Sequence, residues 1–168
     1  HRDLRGLVLR LDAVDDRQGP PAASGRHVRP LDTHRADRHR LAGRLQAGAA
    51  DIEIAGNPEL VLYAATNAPD TDFVAWLIDE RTDGPAIEVS SGMVRARHRH
   101  SLDREEFITP GEVVEYRIRL GPTACRFRRG SRIRLDIASS DFPNVDRNHN
   151  TGRNDLVDPE FAVAHQTV

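Results

Sequence analysis

A few polar stretches carry the residue types that site chemistry needs. Asp146, Asn148 and Asn150 alternate with the spacing at which an EF-hand loop offers its first oxygen ligands to calcium. The match then stops, because Thr151 stands where the sharp turn needs Gly and Val157 where the bidentate Glu belongs. The stretch reads instead as a network of Asx turns, and no metal is expected there. His98 and His100 place two imidazoles on one face of a strand, a metal pair without an evident third ligand, so a solvated strand end is the simpler reading. Asp70 and Asp72 read as a structural turn, and Glu105-Glu106 as exposed charge. Cys125 is the only cysteine, which rules out an intrachain disulfide and a cysteine metal cluster; it reads as a small half-buried residue. A serine nucleophile is usually presented on a Gly-x-Ser-x-Gly elbow, and neither Ser90-Ser91-Gly92 nor Ser139-Ser140-Asp141 is one.

These residues must be positioned by strands. Ile133, Leu135 and Ile137 alternate with Arg132, Arg134 and Asp136, the period of a half-buried strand, and deliver the Asx-rich loop 139–152 to one end of a sheet. Val114, Tyr116, Ile118 and Leu120 give the cleanest amphipathic strand. Residues 60–65 and 73–78 are apolar on both faces, as central strands are, and Trp76 reads as a core anchor. Shorter strands are predicted at 51–54, 86–89, 93–97 and 160–168, with turns at Asn57-Pro58, 67–72, Asp83-Gly84, Pro110-Gly111 and Gly121-Pro122. About seven or eight antiparallel strands at short spacing predict an all-β fold, a β-sandwich or jelly roll, occupying residues 49–168.

Residues 1–48 differ in character. An Arg/His/Asp-rich run over 26–44 has only Leu31 and Leu41 as large apolar residues, with Leu45 just beyond it. An extended or poorly ordered lead-in is expected, able to hold a helical turn around Arg35 to Leu45. A nucleic-acid arm is disfavoured, since Asp32 and Asp37 dilute its charge and no aromatics are interleaved for stacking. The whole chain of 168 residues has net charge −2, so it carries no electrostatic footprint for nucleic acid. It contains no Lys, which excludes Schiff-base chemistry. No apolar run predicts a membrane helix or a signal peptide, which favours a cytoplasmic over a secreted location.

The ordered blocks Ala68-Pro-Asp-Thr-Asp-Phe, Asp83-Gly84, Gly92-Met-Val-Arg-Ala-Arg, Thr109-Pro-Gly-Glu and, above all, the run from Ser139 through Asp-Phe-Pro-Asn-Val-Asp-Arg-Asn-His-Asn-Thr to Gly152 resemble the C-terminal domain of X-Pro dipeptidyl-peptidases and cocaine-esterase-like serine hydrolases. Ala164-His-Gln-Thr-Val is similar to that family's closing strand. The lead-in departs from the family pattern, because residues 37–48 do not read as the Val/Leu/Tyr-rich strand found there; the segment has diverged or its reading frame has shifted. The resemblance implies a multidomain bacterial enzyme: an α/β-hydrolase domain with Ser, Asp and His, a helical cap, and a jelly roll packed against both. The present chain resembles the jelly roll alone, so no catalytic residue carries over and no cofactor is implied. On this reading it is a non-catalytic domain that supports and partly encloses the active site of a catalytic partner domain. Ser139, Ser140, Asp141, Phe142, Pro143, Asp146, Arg147, Asn148 and Asn150 would form its structural and interface loop. Asp141 and Asp146 would accept backbone N–H groups, and Arg147 would pair with a carboxylate. The alternative is a free-standing jelly-roll module of the galactose-binding-like kind, binding carbohydrate or peptide through end loops, for which Phe107 and Phe142 are the available loop aromatics.

Overall fold

A computed structural model of the chain describes residues 7–11, 27–30, 32–35, 41–46 and 50–168. Among these residues the fold is all-β, an antiparallel sandwich with one short 3₁₀ turn at Ala96–His98. The strands are β1 (Leu7–Leu11), β2 (His27–Pro30), β3 (Asp32–Arg35), β4 (Leu41–Gln46), β5 (Ile52–Gly56), β6 (Glu59–Thr66), β7 (Asp72–Glu80), β8 (Ala86–Arg95), β9 (Val114–Arg119), β10 (Thr123–Phe127), β11 (Arg132–Ala138) and β12 (Gln166–Thr167). One sheet runs β12-β6-β1-β2, with β9 also paired to β6. The other runs β3-β4-β11-β7-β8, and β5 with β10 makes a separate ribbon.

The alternation seen in the sequence decides which faces meet. Leu60, Leu62, Ala64, Tyr116 and Ile118 from the first sheet pack on Phe73, Ala75, Leu77, Ile133, Leu135 and Ile137 from the second. Ile54 and Phe127 of the ribbon join the same core. Each such buried Leu, Ile or Phe contributes about 1.5–3 kcal/mol over its exposed state. Phe73 and Tyr116 meet across the core with ring centroids 4.7 Å apart, and burial pushes the Tyr116 phenol up to about 12. Trp76 is buried on the other face of β7, outside this cluster.

Several local expectations need correction. Residues 86–95 form one strand rather than two, with a bulge where Leu77 pairs Ser90 and Ile78 pairs Glu88, so Val89 is the extra residue. Leu41–Gln46 is not a helical turn but β4, paired along β11 from Gln46↔Arg132 to Leu41↔Ile137. The rest of the lead-in expectation lies in part outside the described residues. His98 and His100 leave a 3₁₀ turn and not a strand, and the last strand is confined to Gln166–Thr167. Among the described residues no helix is long and apolar enough to cross a membrane.

Strand directions sort the connections. Residues 57–58, 81–85, 120–122 and 128–131 are short turns at one end of the sandwich. Residues 67–71, 96–113 and 139–165, the long polar connections, all gather at the other end.

Candidate functional site

The loop-rich end is built on an ion network. Asp72 and Arg95 face each other across β7 and β8, and Arg95 donates Nε and Nη2 to the two carboxylate oxygens at 2.9 and 3.0 Å. This fork-to-fork pair holds the Arg95 guanidinium above its ordinary range, chiefly through the Asp72 hydrogen bonds. Asp70, with 0% exposure, accepts the backbone N–H of Arg97 at 2.9 Å and its Nη1 at 3.1 Å. Asn148 reaches in from the long loop and donates one amide group to both acids, Asp70 Oδ2 and Asp72 Oδ1, at 2.8 Å each. Its Oδ1 accepts the N–H of Asn150, an Asx turn. Asp155 closes the circle: Oδ2 accepts from Arg97 Nη2 at 3.1 Å and Arg95 Nη1 at 3.4 Å, while Oδ1 accepts the N–H of His149.

Burial is the largest influence on Asp70 and raises its pKa above the ordinary carboxylate value, against the lowering effects of Asn148 and Arg97. The network therefore holds a costly buried charge in place by saturating it with donors. It clamps three segments distant in sequence: the turn before β7, the 3₁₀ turn after β8, and the loop after β11. Backbone bonds complete the clamp, with Ala96 N–H donating to Thr71 O at 2.9 Å and Ile108 N–H to Pro69 O at 2.8 Å.

Beyond Asn148 the loop is fixed as a closed arch. Ala162 N–H donates to His149 O, and Asn150 Nδ2 donates to Ala162 O, both at 2.9 Å. Thr151 donates its hydroxyl to Asp158 at 2.7 Å, and Arg153 Nε lies 3.0 Å from the same carboxylate. These partners hold the Asp158 carboxyl below its usual range, the Thr151 bond foremost. Gly152 has φ +72°, and a Cβ there would come within 3.3 Å of both the Phe107 ring and Pro69. Both facts require glycine at the end of the Asn-Thr-Gly run.

The residues expected to form the structural loop are thus brought together unevenly. Asn148 is central. Asn150 sits at φ 61° and ties the arch shut. Asp141 takes Asn144 and Val145 N–H groups on its backbone oxygen, and its carboxylate accepts from Asn144 Nδ2 at 3.4 Å. Ser140 Oγ accepts Phe142 N–H, Ser139 is half-buried, and the peptide between Phe142 and Pro143 is cis. Arg147 stacks over the exposed Phe142 ring at 4.3 Å. Asp146 is corrected: its side chain is exposed, and the residue contributes its backbone oxygen to Arg95. Asp155 instead accepts a backbone N–H of the loop, that of His149, the role expected of Asp146. The Asp70–Asp72 turn, read from the sequence as structural, is buried and forms the floor of the network. Glu105 and Glu106 have partners, Arg97 Nε at 3.3 Å for the first, Arg99 and His100 for the second. Arg95, Arg97 and Asp155 went unrecognised in sequence. The one available signal was the matched spacing of Asp70-x-Asp72 with Arg95-x-Arg97.

Chemically, this arrangement binds its own loops. Its carboxylates face guanidinium and amide donors, and a general base needs a free lone pair within reach of a reacting proton.

Known proteins resemble the chain in the same terms. The family model described as the X-Pro dipeptidyl-peptidase C-terminal non-catalytic domain matches residues 9–168. Cocaine esterase from Rhodococcus sp. (strain MB1 Bresler) is 41% identical over 101 residues, which is 60% of this chain and 18% of that protein. The crystal structure of an aminopeptidase from a marine sediment archaeon, Thaumarchaeota archaeon, superposes with TM-score 0.72 at 29% identity, over 78% of this chain and 23% of that one. An α-amino acid ester hydrolase superposes with TM-score 0.70 at 27% identity, over 76% and 23%. The chain thus spans about a fifth of the length of the relatives it matches.

Proposed function

We propose, since the chain belongs to the X-Pro dipeptidyl-peptidase C-terminal non-catalytic domain family, that it acts as the accessory domain of a longer serine hydrolase. It docks on an α/β-hydrolase catalytic part, supports it and partly encloses its active site. The loop containing Ser139, Ser140, Asp141, Phe142, Pro143, Asp146, Arg147, Asn148 and Asn150 contributes to that contact, with Phe142 as an apolar anchor pinned by Arg147. One observation carries the reading: the long loops gather at one end and are held rigid by a network whose acids are saturated by donors. That is the design of a presenting surface. Substrate choice, whether ester, amide or Xaa-Pro peptide, belongs to the catalytic part.

The isolated chain should therefore be inert. A serine nucleophile needs a positioned base and an oxyanion hole. Incubation with p-nitrophenyl esters and Xaa-Pro anilides should give the buffer rate, with no serine labelled by a fluorophosphonate. Turnover above that rate, abolished by the probe and mapped to one serine of this chain, would remove the proposal.

A further inference from the structure

We infer that the arch between His149 and Ala162, with Val163 just beyond it, is the principal surface by which this domain docks on the catalytic part of a hydrolase, through the side chains of Leu156, Val157, Phe161 and Val163. The inference rests on the accessory-domain reading and goes beyond the 139–152 loop.

Exposure is the first observation. Leu156 is 82% exposed, Val157 78%, Val163 75% and Phe161 61%. Four large apolar side chains within eight residues are all open to water, a density of exposed apolar residues in one short stretch that marks an interaction surface. Their order is the second. The arch has no regular secondary structure, yet its ends are joined at His149 and Ala162, and its middle is tied by Thr151, Arg153 and Asp158. Phe161 lies against the His149 ring with centroids 3.8 Å apart. An apolar surface already fixed in shape loses little entropy on docking, which favours affinity. Asp158 and Glu160 pair with Arg153 within the arch, and Asp155 pairs with Arg95 and Arg97 beside it, so a partner covering it meets no unpaired charge.

The occupant follows from chain direction and length. The family's domain is C-terminal, so the catalytic part precedes β1 in the longer relatives. Strand β1 runs from Leu7 opposite Leu62 to Arg10 opposite Glu59, away from the loop-rich end. Leu7, the first residue of β1, thus lies on the side of Arg10 that faces the end carrying the arch. Matched proteins hold more than three quarters of their length outside this domain, ample to cover it. The partner surface is accordingly apolar and belongs to the hydrolase.

The test uses cocaine esterase from Rhodococcus lacking the domain that contains the matched segment, mixed with this chain. Calorimetry reads the dissociation constant. The native chain should bind, and the double variant Leu156→Glu/Val157→Glu should bind at least tenfold more weakly with an unchanged melting curve. Ile87→Glu, at an exposed apolar residue near the opposite end of β8, should bind as the native chain does. Hydrogen exchange supplies a reading without substitutions: amides of residues 153–163 should slow on mixing, and those of 81–86 should not. Native-like binding by the double variant, or protection confined elsewhere, overturns the arch while leaving the accessory role intact. Failure of the native chain to bind removes the accessory role itself, and the arch with it.

Discussion

Arg97→Ala should destabilise the isolated chain by about 3–5 kcal/mol in urea unfolding, the cost of removing one partner from a buried ion network. Arg97 is the one side chain that touches the turn at Asp70, the arch at Asp155 and Arg153 O, and the rim at Glu105. Its loss leaves the fully buried Asp70 carboxylate with only Asn148 and the Arg97 backbone N–H as donors. The penalty should depend on pH. Asp70 in the fold holds its proton to a higher pH than in the unfolded chain. Its own titration thus favours the fold below the unfolded value, and that advantage is lost as pH rises through the raised folded value. Above it Asp70 is charged and needs Arg97, so the gap between native and Arg97→Ala is widest; as pH falls through it the gap narrows. Asp146→Ala serves as the contrast, since an exposed carboxylate should change stability by no more than about 0.5 kcal/mol. A small, pH-independent effect of Arg97→Ala would mean that the network does not clamp the loops.

Gly92→Ala should cost about 2–3 kcal/mol, from steric overlap rather than backbone preference. Gly92 lies in β8 where the second sheet meets β9 of the first. A Cβ there would sit 2.2 Å from Arg119 O and 3.1 Å from Leu120 Cα, backbone atoms that no rotamer change can move away. The same contact is tied by Gly121 N–H donating to Ser91 O and Ser90 Oγ donating to Gly121 O. Relief therefore requires the sheets to part locally. Gly84→Ala is the matched control: its Cβ would meet only Arg81 side-chain atoms at 3.7 Å, ordinary contact, and stability should stay within about 0.5 kcal/mol. Equal effects at the two positions would rule out the close approach.

What was legible in the sequence follows from where the physics is local. Strands β7, β9 and β11 announce themselves because their own side chains alternate or run apolar, and burial does the rest. Strand β10 was missed, since Thr123, Ala124 and Cys125 give little contrast between faces, and its inward positions are marked only by Cys125 and Phe127. Strand β4 was missed for a different reason: Leu41 and Leu45 lie among Arg and Gly, and its strand character comes from pairing along β11. The site divides the same way. Asn148, Asn150 and the Asp70–Asp72 pair stand out as turn formers. Arg95, Arg97 and Asp155 do not, because in a chain with 24 Arg and no Lys nothing local separates a buried guanidinium from a solvated one. Their roles exist only through partners tens of residues away.

The most direct measurement of the central claim is ester hydrolysis by three samples: the Rhodococcus esterase lacking its matched domain, this chain alone, and the two mixed. The account predicts no turnover by the chain alone and a rise in the truncated esterase's rate and thermal half-life when the chain is added. Turnover by the chain alone, or a mixture no faster and no more durable than the truncated esterase by itself, would contradict it.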